Sequence, residues 1–211
     1  YLEDKINLEA DTKLGDVRVI LVVEDSVKYY SRYLPLLYTE IMTQTQAIID
    51  GEPRDDETTL ILRMRARPKL ILVSTYEDAV AIIDKYRDNI IGVISDVRYA
   101  RNGVEDEDAG VSLIRHVQSL DDRIPCLLQS HEIENKEINA RFIDKNSLTL
   151  AREIQDFIKN QLGFGDFIFR DREGRPIDRA TCIEEFRRKL ATIPDESLEY
   201  HAIRNGISTW L

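Results

Sequence analysis

Residues 89–103 read NIIGVISDVRYARNG. Ile90, Ile91, Val93 and Ile94 form an apolar run of strand length, as a strand covered on both faces requires, and the run ends on Asp96 with a loop behind it. A carboxylate at the exit of such a strand either caps something in the loop or is presented as a reactive group at a sheet edge. What the other strands deliver to the same edge decides between the two.

Working outward, apolar runs alternate with helical patterns, the signature of a parallel sheet covered on both faces. VRVILVVED (17–25), KLILVST (69–75), IIGVISD (90–96), IPCLLQS (124–130) and RFIDK (141–145) read as strands. Helices are expected over 27–50, 76–86, 109–120, 132–140 and 147–162. In the first of these, Tyr30, Tyr33, Leu34, Leu37 and Ile41 fall at helical spacing and Pro35 introduces a kink. In the last, Leu150, Ile154, Phe157 and Ile158 face inward. Five successive β/α units imply an open, doubly wound α/β domain, in which ligands bind beyond the carboxyl ends of the strands.

Two regions stand outside this pattern. Segment 51–68, GEPRDDETTLILRMRARP, is too long for a simple turn, and Leu60, Leu62, Met64 and the arginines suggest further helix pairing with 27–50. A helix of that length spans ~36 Å against ~17–20 Å for a typical strand, so the pair overhangs the sheet. The insertion over about 27–68 is therefore expected to lengthen its own layer or to provide a homodimer or partner surface. After Leu162, FGDFIFRDREGRPID (164–178) reads as a hairpin turning at Arg172-Glu173-Gly174. Asp178 is placed to cap a helix with Ile183, Phe186, Leu190 and Ile193 on one face; Pro194 and Asp195 start another, which Asn205-Gly206 stops. The expected organisation is a leader over 1–16, the α/β domain over 17–162 and a small α/β-hairpin segment over 163–211. The chain opens at Tyr1 without a methionine and closes on GISTWL, which suggests a part of a longer protein joined to a C-terminal output domain.

Composition narrows the function classes. The 211 residues carry a net charge of −10, which argues against direct binding of nucleic acid. No apolar run reaches the ~20 residues of a membrane span, and a cytoplasmic location is expected. Cys126 and Cys182 are far apart in sequence and form no metal-binding pair. His116, His131 and His201 fall on different elements without metal-site spacing and read as surface or half-buried residues. Ser130-His131 makes no hydrolase dyad, because neighbours on an extended strand point to opposite faces. No glycine-rich phosphate loop follows any strand.

The strand ends share a chemistry. The first ends in Glu24-Asp25, the third in Asp96, the fourth in Ser130 and the fifth in Lys145. Three carboxylates, a hydroxyl and an ammonium thus converge from four strands onto one crevice. In this order the chain resembles the response-regulator receiver family, the CheY-like domains, over residues 17–162. The resemblance implies a flavodoxin-like sheet of order 2-1-3-4-5, Asp96 as phosphoacceptor, and Ser130 and Phe142 as switch residues. It further implies Lys145 as the phosphoryl-binding cation. Mg²⁺ would be held by Glu24, Asp25, Asp96 and the backbone carbonyl of Arg98, and a histidine kinase or phosphotransfer protein would be the donor. Such a domain is a switch rather than an enzyme, limited to self-phosphorylation from a phosphodonor and autodephosphorylation. Carboxylates are hard oxygen ligands suited to Mg²⁺, and an anionic nucleophile needs a cation before it can approach phosphate.

The chain departs from the family pattern at three places. The loop after Asp96 is long and holds the acidic run Glu105 to Asp108, His131 stands beside the switch hydroxyl, and Asn146 occupies a common proline position. The acidic run is expected to be a solvated loop that slows an anionic donor, and His131 to restrict access to the phosphorylated aspartate. The rival expectation is a pseudo-receiver, an interaction or dimerisation module without phosphorylation. The long first helix, RMRARPK (63–69) and the C-terminal tail also look similar to the N-terminal region of bacterial proteins related to phosphoenolpyruvate synthase.

Overall fold

The computed structural model of the chain describes residues 2–50, 67–130, 138–181, 183–203 and 207. Segment 51–66 of the expected insertion, His131, most of the helix expected over 132–140, Cys182 and the Asn205-Gly206 stop lie outside these residues. Two compact units are present, Tyr1–Ile154 and Gln155–Leu211.

In the first unit, α1 (Leu2–Gly15), β1 (Val19–Val23), α2 (Val27–Asp50), β2 (Lys69–Val73), α3 (Tyr76–Tyr86) and β3 (Ile90–Asp96) follow in order. A short hairpin, β4 (Tyr99–Arg101) and β5 (Val104–Asp106), precedes α4 (Ala109–Leu120), β6 (Cys126–Ser130), β7 (Arg141–Asp144) and the start of α5 (Leu150–Gln161). The fold is α/β, with a five-stranded parallel sheet of order β2-β1-β3-β6-β7, compatible with a flavodoxin-like arrangement. The expected order counted five strands in succession. The two strands of the hairpin intervene between the third and fourth strands of the sheet and pair only with each other.

Alternation along β1 shows why the sheet is covered on both faces. Val19, Leu21 and Val23 join one apolar cluster with Ala79 and Ile83 of α3 and Val111, Leu113, Ile114 and Val117 of α4. Ile20 and Val22 point the other way and are equally buried, as are Tyr33, Leu37 and Ile41 of α2. Helix α2 runs through Pro35 without ending there. Thr75 caps α3, its hydroxyl accepting the Asp78 N–H.

Residues 2–15, expected only as a leader, form α1, which is pinned to the body through polar groups. Asp4 is buried and accepts from Arg67 (2.7 and 3.1 Å), from the Tyr38 hydroxyl (2.8 Å) and from the Leu70 N–H (3.1 Å). Leu70 lies on β2, an edge strand, so this carboxylate satisfies a donor that the sheet leaves open. Asp11 pairs with Lys69 at 2.9 Å.

The second unit pairs β8 (Phe167–Arg170) with β9 (Pro176–Ala180) as an antiparallel hairpin and adds α6 (Ile183–Leu190) and α7 (Asp195–Ile203). Gly174 takes the turn with a φ of 80°. Phe167, Phe169 and Phe186 form its aromatic core. Asp178 does not cap α6. It lies within β9 and pairs with Lys189 at 2.6 Å, while Glu185 accepts from the Thr181 N–H and hydroxyl at 2.9 Å. The hairpin extends past Asp178, which moves the helix start beyond that side chain.

Burial alone would raise the Asp4 carboxyl, but the Arg67 guanidinium, the Leu70 N–H and the Tyr38 hydroxyl outweigh it and hold it below its ordinary 3.8. A carboxyl depressed on folding stabilises above its unfolded value, and that contribution is lost as the pH falls through the folded value. Asp4→Asn should therefore destabilise the protein by about 3 kcal/mol at pH 7. The deficit should shrink below pH ~4, as urea titrations at the two pH values would show.

Candidate functional site

Parallel strands bring their carboxyl ends to one edge, and there the chemistry collects. Glu24 and Asp25 follow β1, Asp96 is the last residue of β3, Ser130 the last of β6, and Lys145 follows β7. The Lys145 ammonium lies 2.7 Å from Glu24 Oε2 and 2.5 Å from Asp96 Oδ2, and its side chain is 2% exposed. Carboxylate oxygens of Glu24, Asp25 and Asp96 lie within 4.8 Å of one another. Three hard oxygen donors at that spacing suit a small divalent cation, so the residues fit Mg²⁺ as the resemblance implies.

Backbone groups hold the cluster in place. Asp96 Oδ1 accepts the Val97 N–H at 2.7 Å, leaving Oδ2 to Lys145, and Glu24 Oε1 accepts the Ser26 N–H at 3.1 Å. The Lys145 N–H donates to the Ser130 carbonyl at 3.0 Å, which ties the ends of β6 and β7 together. Asn146 donates its N–H to Asp144 Oδ1 at 2.8 Å, a bond that proline could not make. Phe142 is half-buried against the core, and Ser130 is half-buried at its strand end. Arg98 lies between β3 and β4, its side chain 3.9 Å from Glu105.

Burial pushes the Glu24 carboxyl above its ordinary range; Lys145 opposes this and the Asp96 charge adds to it. Asp25 is raised as well, by lost hydration first and then by the charges of Asp96 and Glu105. Both shifts come first from lost hydration, with the neighbouring Asp96 charge adding to each.

The acidic run after Asp96 is solvated as expected at Glu105, Glu107 and Asp108, but its first half is strand rather than loop. Tyr99 pairs with Asp106 and Arg101 with Val104 across the hairpin, and Tyr99 is fully buried with its hydroxyl 3.2 Å from Ser95 Oγ. Arg101 stacks on the Tyr76 ring at 4.2 Å and reaches Asp106 at 3.5 Å. Glu105 and Asp106 are therefore strand residues partly neutralised by arginines.

The remaining nucleophile candidates lie elsewhere. Cys126 is buried, and burial pushes its thiol up to about 12, out of reach as a thiolate. His116 contacts Asp84 at 2.8 Å. His201, expected at the surface or half-buried, is buried in the second unit, where Nε2 accepts the Arg170 N–H at 3.1 Å. Two tyrosines stand close to the cluster: Tyr33, which sequence reading assigned only to a helix face, and Tyr29, which it did not single out. The Tyr29 ring covers Lys145, and Tyr33 lies within the field of Glu24 and Asp96. The signal was the tyrosine-rich turn KYYSRY (28–33) directly behind the acidic pair.

No protein-family model matches the chain, and no curated protein matches it.

Gly110 sets the approach of α4 to the site. A methyl group there would overlap the Asp96 carbonyl oxygen and press on Val97 Cα at 2.9 Å, while the Gly110 N–H donates to the Val97 carbonyl at 2.9 Å. Gly110→Ala should destabilise the protein by about 1–3 kcal/mol despite alanine's better helix propensity. It should also shift Asp96 within the acidic cluster, and denaturant melts together with amide NMR shifts around Asp96 and Val97 would register both effects.

Proposed function

We propose that the chain is a phosphoacceptor receiver of a two-component-type phosphorelay, phosphorylated at Asp96 and controlling an attached or partner output. The observation that carries this reading is the Lys145 ammonium seated on Glu24 and Asp96 beside Asp25. A nucleophilic carboxylate, a fixed cation and a hard-oxygen metal cradle are the parts that phosphoryl transfer to aspartate needs.

Glu24, Asp25 and Asp96 would hold Mg²⁺, with the Arg98 carbonyl completing the set as the resemblance implies. When bound, Mg²⁺ offsets the repulsion between the acidic cluster and an incoming phosphoryl group. An Asp96 carboxylate oxygen attacks the phosphorus of a phosphohistidine on a histidine kinase or phosphotransfer protein. The O–P bond forms as the P–N bond breaks, and the departing imidazole nitrogen keeps the electron pair and takes up a proton. Lys145 stabilises the charge on the transferring oxygens without moving far, because it already lies against Asp96. The Ser130 hydroxyl then donates to the acyl phosphate. The new charge draws Ser130 and the tied end of β7 into a second packing, which Phe142 follows.

The chain acts in this reading as a switch rather than an enzyme. A cytoplasmic setting fits it, and among the described residues no helix is long and apolar enough to cross a membrane. The competing reading is a pseudo-receiver that uses the 27–68 region for dimerisation or partner binding.

Incubation with acetyl phosphate and Mg²⁺, followed by intact mass measurement, should give one phosphoryl adduct per chain that Asp96→Asn abolishes. Lys145→Met should slow its formation about 100-fold, the scale set by loss of one preorganised charge donor. Normal Mg²⁺ affinity with no adduct, and no response to beryllofluoride, would favour the pseudo-receiver.

A further inference from the structure

Helix α2 begins two residues after the acidic pair and presents an aromatic wall to the site. Tyr29 and Tyr33, one turn apart, stack with ring centroids 6.3 Å apart and planes within 16°. The Tyr29 ring lies over Lys145, its centroid 4.3 Å from Nζ. Two sides of the ammonium are taken by Glu24 and Asp96, and a further side meets this π face. The side chain is 2% exposed, so little hydration is left to it. Behind Tyr29, Tyr33 is 1% exposed, and its hydroxyl finds no hydrogen-bond partner among the described residues. A buried hydroxyl normally has a partner. The position is thus occupied for its ring, which backs Tyr29, more than for any bond of its oxygen.

An ammonium held between two carboxylates still needs its remaining surface solvated. Water there would let the long lysine chain swing between rotamers and would screen its charge. An aromatic face supplies negative quadrupole density without mobility and without admitting water. A fixed Tyr29 therefore restricts Lys145 to the one place where it touches Asp96.

We propose that Tyr29, backed by Tyr33, is a positioning residue for Lys145, holding its ammonium against Glu24 and Asp96 and closing it from solvent. The clamp itself rests only on this geometry. Its consequence for phosphoryl transfer rests on the receiver reading above: the stabilising cation is in place before the donor arrives.

Two readouts keep these levels apart. Amine acylation of the folded chain, followed by peptide mass spectrometry, reports the exposure of Lys145 whether or not Asp96 is phosphorylated. The acetyl phosphate reaction reports the chemistry. Tyr29→Phe keeps the ring and should retain the protection of Lys145 and at least half the rate of adduct formation. Tyr29→Leu should raise Lys145 labelling and lower the adduct rate, each by roughly five- to thirtyfold, the range from an exposed to a desolvated cation–π contact. Thermal unfolding of each variant checks folding, and Tyr29→Met offers the same ring-free comparison if Tyr29→Leu does not fold. Equal Lys145 labelling in the ring-bearing and ring-free variants would overturn the clamp. Labelling that follows the ring in a chain that forms no adduct would uphold the clamp and reject the phosphoacceptor reading.

Discussion

The site end of the first unit depends on one ammonium between a buried carboxylate, Glu24, and a half-buried one, Asp96. Glu24 and Asp96 are brought together by neighbouring parallel strands, and without a cation each would carry a desolvation cost of several kcal/mol. Lys145 bonds both. Its own backbone is fixed to Ser130, so the same residue joins the ends of β1, β3, β6 and β7. Gly110 lets α4 close against the strand that carries Asp96. These contacts form a single constraint: the sheet edge is ordered where its charge is densest.

The balance of charge gives the edge its character. Three carboxylates face one ammonium, and lost hydration together with the Asp96 charge raises Glu24 and Asp25. The acidic hairpin beside it adds to this through Glu105, yet Arg98 and Arg101 pair with Glu105 and Asp106 on the hairpin itself. The acidic run is thus half strand, its Glu105 and Asp106 paired with arginines, and half an exposed turn at Glu107-Asp108. The aromatic side, Tyr29 and Tyr33, limits solvent from the direction of α2.

Much of the framework was legible because its signals are local. Apolar runs bounded by polar residues located all five sheet strands, and α2, α3 and α4 begin and end where helical periodicity placed them. The β4–β5 hairpin was misread as loop although its signal is present. Asn102-Gly103 takes φ values of 53° and 76°, the paired left-handed geometry of a two-residue hairpin turn, and Arg101 faces Val104 across it. Asp178 was misplaced for the opposite reason. A capping residue and a strand residue look alike until the hairpin partner fixes the strand's length.

The sequence by itself determined which groups could meet, since position at the end of a parallel strand is sufficient to send Glu24, Asp25, Asp96, Ser130 and Lys145 to one edge. Only the tertiary structure decided which of them touch, and what covers them. Lys145 pairs with Glu24 and Asp96 through a sequence separation of 121 and 49 residues, and Tyr29 closes over it from another layer. Asp4, an ordinary first-turn acid on an unremarked helix, became the buried partner of Arg67 and the edge of β2. Strand ends and helix faces are written in short-range periodicity. Side-chain pairing across layers depends on distances that no local pattern encodes.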